Sequence, residues 1–184
     1  VYSGPATITI RTRRMSKILY STRHEDNDTE IYVINDDGSG NRRITFSPGE
    51  DSDPSWSPDE RQIVFSSSRQ GGPNDLYIIN ADGTGAINIT NSPENEGGPA
   101  WSPLGDEILF TKRLGANTEV FRLHLASGTL LNLTQNPASD FDPTWAPNGQ
   151  RFAFSSNRDG TSDIWALRFG RFGGLAQLTS NRRS

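Results

Sequence analysis

The sequence predicts an all-β chain, a β-propeller of four-stranded antiparallel blades, and three observations carry that prediction. Tryptophans recur at Trp56, Trp101 and Trp145, one every 44 or 45 residues. Each sits in one frame: Pro54-Ser55-Trp56-Ser57-Pro58, Pro99-Ala100-Trp101-Ser102-Pro103 and Pro143-Thr144-Trp145-Ala146-Pro147. No segment carries a sustained 3.6-residue apolar period with helix caps. A period of about 40–45 residues with several short strands per unit is the signature of propeller blades.

Each unit reads as four strands. The first is short and carries the Trp. The second is apolar on both faces, as in Ile63-Val64-Phe65, Ile108-Leu109-Phe110, Phe152-Ala153-Phe154 and Ile18-Leu19-Tyr20. Such a strand must be covered on both faces, which neighbouring blades provide. The third follows an acidic residue: Glu30-Ile31-Tyr32, Asp75-Leu76-Tyr77, Glu119-Val120-Phe121 and Asp163-Ile164-Trp165. The fourth ends at an apolar-Thr pair: Ile44-Thr45, Ile89-Thr90, Leu133-Thr134 and Leu178-Thr179. The blades span about residues 6–46, 51–91, 97–135 and 141–180, in one domain over 1–184.

The turns agree. Pro103-Leu104-Gly105 and Pro147-Asn148-Gly149 join strands one and two, with Gly supplying a positive φ after the proline. Glu60 replaces that Gly after Pro58-Asp59, so this turn is either strained or differently shaped. Asp37-Gly38, Asp82-Gly83 and Ser127-Gly128 join strands three and four, whereas the fourth unit carries Arg168-Phe169-Gly170-Arg171-Phe172-Gly173-Gly174 there. The first unit has Arg11 where the spacing places the Trp, yet Ala6-Thr7-Ile8-Thr9-Ile10-Arg11 still alternates as a first strand. Arg23, Arg69, Arg113 and Arg158 end the second strands, within reach of Glu30, Asp75, Glu119 and Asp163 of their own blades. Recurrence in every unit makes these arginines, like the tryptophans, parts of the architecture. The tryptophans read as inter-blade packing, with sugar stacking as the rival.

Composition narrows the function classes. Hydrophobic residues make up 32% of the 184-residue chain, gathered in short dense clusters. A net charge of −4 and the absence of a basic stripe interleaved with aromatics exclude a nucleic-acid reader. There are no cysteines, hence no disulfide, thiolate metal site or Cys nucleophile. No apolar run reaches the roughly 18 residues of a membrane helix. The basic ends (Arg11, Arg13 and Arg14; Arg182 and Arg183) read as solvated termini, with docking to an acidic partner as the sharper alternative. The chain begins at Val1, which leaves any upstream leader unread.

Nothing in the sequence carries catalysis, and no cofactor is expected. There is no Gly-x-Ser-x-Gly nucleophile elbow. His124 alternates with Leu123 and Leu125 as a structural strand residue, and His24 lies in a polar loop. Oxygen ligands of the type Ca²⁺ takes occur in two places. One is the loop holding Asp26 and Asp28. The other is the pair Asp53 and Asp142, with Asp51 and Asp140 beside them, at the start of first strands that line a propeller's channel. Gly98 interrupts that acidic series in the third unit. The loop reads as a solvated acidic turn, with Ca²⁺ as the alternative.

The run Asp53-Pro54-Ser55-Trp56-Ser57-Pro58-Asp59-Glu60-Arg61-Gln62-Ile63-Val64-Phe65-Ser66-Ser67-Ser68-Arg69 resembles the TolB-like (PD40) propeller repeat. So does Asp75-Leu76-Tyr77-Ile78-Ile79-Asn80-Ala81-Asp82-Gly83 followed by Ile89-Thr90. The likeness covers about residues 16 to 180. It implies an extracytoplasmic, periplasmic setting and a non-enzymatic scaffold that binds a protein partner, as an accessory subunit of a membrane-associated complex. The alternatives are the substrate-gating propeller of a larger peptidase or hydrolase, and a carbohydrate- or Ca²⁺-binding propeller. The family resembles a six-bladed ring, so four blades imply a smaller ring, a part of a larger one, or association of copies. Loops 24–29, 70–74 and 91–98 are the expected contact surfaces. Arg168, Phe169, Arg171 and Phe172 are further partner-contact candidates.

Overall fold

A computed structural model of the chain describes residues 16–23, 28–170 and 173–180. The expected strand at 6–11, His24, Asp26, Arg171, Phe172 and the basic ends lie outside the described residues. Fifteen strands in four antiparallel sheets are found among the rest. The first sheet holds β1 (Lys17–Arg23), β2 (Thr29–Asn35) and β3 (Arg42–Arg43). The second holds β4 (Asp51–Trp56), β5 (Gln62–Ser67), β6 (Asp75–Asn80) and β7 (Ile87–Asn88). The third holds β8 (Glu96–Trp101), β9 (Glu107–Leu114), β10 (Asn117–His124) and β11 (Thr129–Asn132). The fourth holds β12 (Asp140–Trp145), β13 (Arg151–Ser156), β14 (Asp163–Arg168) and β15 (Leu175–Gln177). Within each sheet the strands pair in chain order, so each is a blade.

The double-faced apolar strands are explained by how the blades stack. Blade one presents Ile31, Val33 and Ile44 to Ile63, Phe65, Tyr77 and Ile79 of blade two. Blade two presents Val64 and Leu76, with Ile78 and Ile89, to Trp101, Ile108, Phe110, Phe121 and Leu123 of blade three. Blade three presents Leu109, Val120 and Leu133 to Trp145, Phe152, Phe154 and Trp165 of blade four. Each interface therefore joins an aliphatic half to an aromatic half, and the alternation along β5, β9 and β13 serves both at once. Among the described residues no strand of blade one touches a strand of blade four. Their outer faces leave Ile18, Ile164 and Leu178 exposed.

A second repeated device ties the third strand to the fourth. The backbone N–H groups of Ile31, Leu76, Val120 and Ile164 donate to Oγ1 of Thr45, Thr90, Thr134 and Thr179 at 2.9–3.0 Å. In three blades the Thr hydroxyl then donates to the preceding acid: Thr45 to Glu30, Thr134 to Glu119 and Thr179 to Asp163. The acid-apolar-aromatic triplet and the apolar-Thr pair are two ends of one hydrogen-bonded unit.

The turns resolve two sequence questions. Glu60 takes φ 58°, close to the 67° of Gly149, and its N–H donates to the Ser57 carbonyl as Gly105 does to Ser102. The turn keeps its shape, and a non-glycine residue bears the left-handed conformation. At Gly83 the glycine is required twice over: φ is 93°, and a Cβ there would lie 2.8 Å from the Ile44 carbonyl oxygen of the neighbouring blade.

Candidate binding surface

The inner strands β4, β8 and β12 stand side by side and share one irregularity. Each slips register against its neighbour, between Ser52 and Ser55, Gly97 and Ala100, and Phe141 and Thr144. A proline cannot donate to the ladder, so Pro54, Pro99 and Pro143 fall at bulges. The residue before each proline takes a positive φ: Asp53 at 53°, Gly98 at 57° and Asp142 at 50°. The bulges turn the side chains of Asp53 and Asp142 toward a polar cavity of about 510 Å³.

Loops from successive blades wall that cavity. Asn74 and Asn95 come from the 70–74 and 91–98 loops, joined by the Asn74 N–H donating to Asn95 Oδ1 at 2.8 Å. Thr118 and Ser139 bridge blades three and four through a Thr118 N–H to Ser139 Oγ bond of 3.3 Å. Arg113 and the exposed ring of Phe141 complete the rim. Two of the three loops expected to make contacts thus meet at one concavity. Asp53 Oδ2 accepts a long bond from the Gly98 N–H at 3.4 Å. Among the described residues no three acidic or histidine side chains converge as a metal cluster requires.

Glu96 forms part of the same wall and is 2% exposed. Lys112 Nζ stands 3.5 Å from its Oε1, but neither carboxylate oxygen has a hydrogen-bond partner among the described residues. Burial pushes the Glu96 carboxyl above the ordinary range, outweighing Thr90, Lys112 and Ser92 nearby. Asp51 is raised for the same reason, against the opposing pull of Ser67 and Arg69. Glu30 is raised as well, despite Thr45 and Arg43.

The repeating arginines find different partners from those expected. Arg69 Nη2 donates to Asp51 at 2.8 Å, and Arg158 Nη2 to Asp140 at 3.0 Å. The acid is on the first strand of the blade, and the guanidinium also lies over two aromatic rings, Phe65 and Tyr77 or Phe154 and Trp165. Asp75 is occupied instead by Asn88 Nδ2 and the Ser92 N–H, each at 2.8 Å. In blade three Lys112 takes the inward role, and Arg113 turns outward to the Gly115 carbonyl. Among the described residues Arg23 meets Glu50, at 3.8 Å on the surface.

Other candidates separate. Trp101 is buried at the second interface, whereas Trp56 and Trp145 are half-buried and pack at the first and third. Phe169 lies 5.6 Å from Trp145 and 5.5 Å from Phe152, beneath the Arg122 guanidinium, so its ring is committed to the third interface. Arg168 is exposed. His124 Nδ1 lies 3.0 Å from Ser127 Oγ, a contact sequence reading missed. Ser127 also bonds Thr129 and sends its own N–H to His124, so the pair closes a surface turn.

Four-stranded blades stacked face to face about a row of bulged inner strands define a β-propeller. The chain belongs to the TolB beta propeller domain family, PD40, whose profile matches residues 15–113 and 75–182. No curated protein matches the chain. Among solved structures it is similar to TolB from Acinetobacter baumannii, with a TM-score of 0.81 and 24% identity over 90% of this chain and 42% of that one. A putative TolB from Agrobacterium tumefaciens gives 0.77 and 20%, over 89% of this chain and 61% of that one. A puromycin-hydrolyzing peptidase of Mycobacterium tuberculosis gives 0.68 and 15%, over 93% of this chain and 30% of that one. The chain spans less than two thirds of the length of each.

Proposed function

We propose that this chain is a non-enzymatic, protein-binding propeller, acting outside the cytoplasm as an accessory subunit of a membrane-associated complex. One observation carries the reading. The stacked blades hold a polar concavity of about 510 Å³ whose wall is assembled from the loops and bulges of successive blades. Backbone fixed by inter-blade packing presents loop side chains, and binding residues are disproportionately found on loops held by a rigid scaffold. Glu30, Asp51, Glu119 and Asp140 are buried acids engaged in bonds within their own blades, whereas Glu96 stands in the wall of the concavity. The similarity to two TolB structures supports the periplasmic setting.

The test is a native pull-down from the source cells, with stoichiometry read by mass spectrometry, using the wild type and an Arg113→Glu, Asp142→Asn variant. The reading expects one protein recovered at a fixed ratio with the wild type and lost from the variant at unchanged Tm. Recovery alone, or equal recovery by both, overturns it.

A second reading has its own support. Similarity to the mycobacterial peptidase covers nearly all of this chain but only 30% of that one, so it concerns a part of that protein. As the gating portion of a hydrolase, this propeller would be continuous with a segment bearing Gly-x-Ser-x-Gly in the full coding sequence.

A further inference from the structure

Blade four carries a pair of arginines that the architecture does not explain. At the end of each blade, the first residue of the second strand faces the last residue of the third. The pairs are Lys17 with Asn35, Gln62 with Asn80, Glu107 with His124, and Arg151 with Arg168. Three pairs avoid like charges and the fourth imposes them. Directly opposed residues share one face of the sheet, and like charges there repel.

Neither guanidinium has a hydrogen bond or ion pair among the described residues. The guanidinium of every other described arginine has one. Arg23, Arg43, Arg61, Arg69, Arg122 and Arg158 meet carboxylates, and Arg42 and Arg113 donate to carbonyls. Arg151 and Arg168 line a cleft of about 230 Å³ with Asn148 and Gln150, residues that bring amide groups and no carboxylate. The backbone beneath is held firmly. The Phe169 N–H donates to the Gln150 carbonyl at 3.0 Å, the Arg168 N–H to the Gly174 carbonyl at 3.1 Å, and Phe169 stacks on Phe152.

We propose that the Arg151–Arg168 cleft is an oxyanion-binding site, in which a phosphate or carboxylate group is clamped between the two guanidinium forks. Charge-assisted bonds from two planar donors suit such groups, and an anion between the arginines removes their repulsion. The site is separate from the polar concavity, and neither depends on the other.

The experiment measures the Tm of the full 184-residue chain with sodium phosphate or sodium acetate, at ionic strength matched by sodium chloride. A native-state ligand raises Tm saturably. A saturable rise over chloride with phosphate alone identifies a phosphate ligand, and one with both salts a carboxylate-type ligand. The rise should vanish in Arg151→Gln, Arg168→Gln and persist in Arg61→Gln, whose arginine faces Asp59. No rise beyond chloride, or a rise retained by the double variant, overturns the proposal. Should the double variant not fold, the side-chain Nε–H resonances of the wild type decide. Phosphate must shift those of Arg151 and Arg168, and failure to shift them refutes the site.

Discussion

Trp145 Nε1 donates to the carbonyl of Ala100 at 3.0 Å, a bond that spans 45 residues, one whole repeat. Trp56 Nε1 also donates across its interface, to the carbonyl of Lys17 at the head of β1 at 3.3 Å, but the indole N–H of Trp101 is buried without an acceptor among the described residues. The same side chain thus packs two interfaces and pins them, and only packs the third.

This difference sets the first prediction. Trp145→Phe keeps most of the ring and strands the Ala100 carbonyl, at a cost of about 0.5–1.5 kcal/mol. Trp101→Phe loses no hydrogen bond and should cost less. Trp101→Ala, which empties a buried aromatic site, should cost about 3–5 kcal/mol. Urea denaturation of the three variants gives the order, and a Trp101→Ala loss below about 1 kcal/mol would contradict its burial.

Thr134 joins two strands through one hydroxyl. It accepts from the Val120 N–H at 3.0 Å and donates to Glu119 at 2.5 Å. Thr134→Val preserves the shape and removes both bonds, so it should destabilise by about 1–3 kcal/mol. Thr134→Ser should recover most of that. Equal denaturation midpoints for the Val and Ser variants would show that the hydroxyl is idle.

The recurring arginine should matter only where it is buried. Arg158 and Asp140 are 9% and 0% exposed, whereas Arg23 and Glu50 are 64% and 59% exposed. Arg158→Met leaves a carboxylate buried without its cation, a loss of about 3–5 kcal/mol. Arg23→Met removes a solvated pair worth about 0–1 kcal/mol. Comparable melting shifts for the two would refute this distinction.

The raised carboxyl of Glu96 predicts a pH dependence with a definite sign. A group that holds its proton more tightly folded than unfolded adds stability that is complete below its unfolded pKa, about 4.3 for Glu. That stability is lost as pH climbs through the folded value. Glu96→Gln should therefore melt higher than wild type at pH 7, and the gap should narrow as pH falls toward about 4.3. Asp51 and Glu30 shift in the same direction and are present in both proteins, so the difference isolates Glu96. Melts across this range check it, and a gap that widens on acidification would reverse the assignment.

The repeat was legible because it rests on residues that recur at one spacing: the Trp of blades two to four, and in all four blades the acid of the third strand and the Thr that follows the fourth. Arginine pairing was not, because sequence proximity points Arg69 toward Asp75. The antiparallel register of β4 with β5 brings Asp51 opposite Ser67 instead, beside the arginine. The bulges had a visible sign in the mid-strand prolines, but only the register showed that Asp53 and Asp142 turn into a shared concavity. Phe169 looked available because it sits among glycines, and its stacking partners lie 17 and 24 residues back in the chain.

Each interface has a direction, from an aliphatic face to an aromatic one, so the blades couple as a one-dimensional lattice with nearest-neighbour terms. Within the described residues, blades two and three are clamped on both sides, while blades one and four each share a single interface. Opening blade two or three breaks two interfaces, and opening blade four breaks one. Amide exchange should accordingly be slowest in β5 and β9, with fluctuations entering from the outer blades and passing inward one blade at a time.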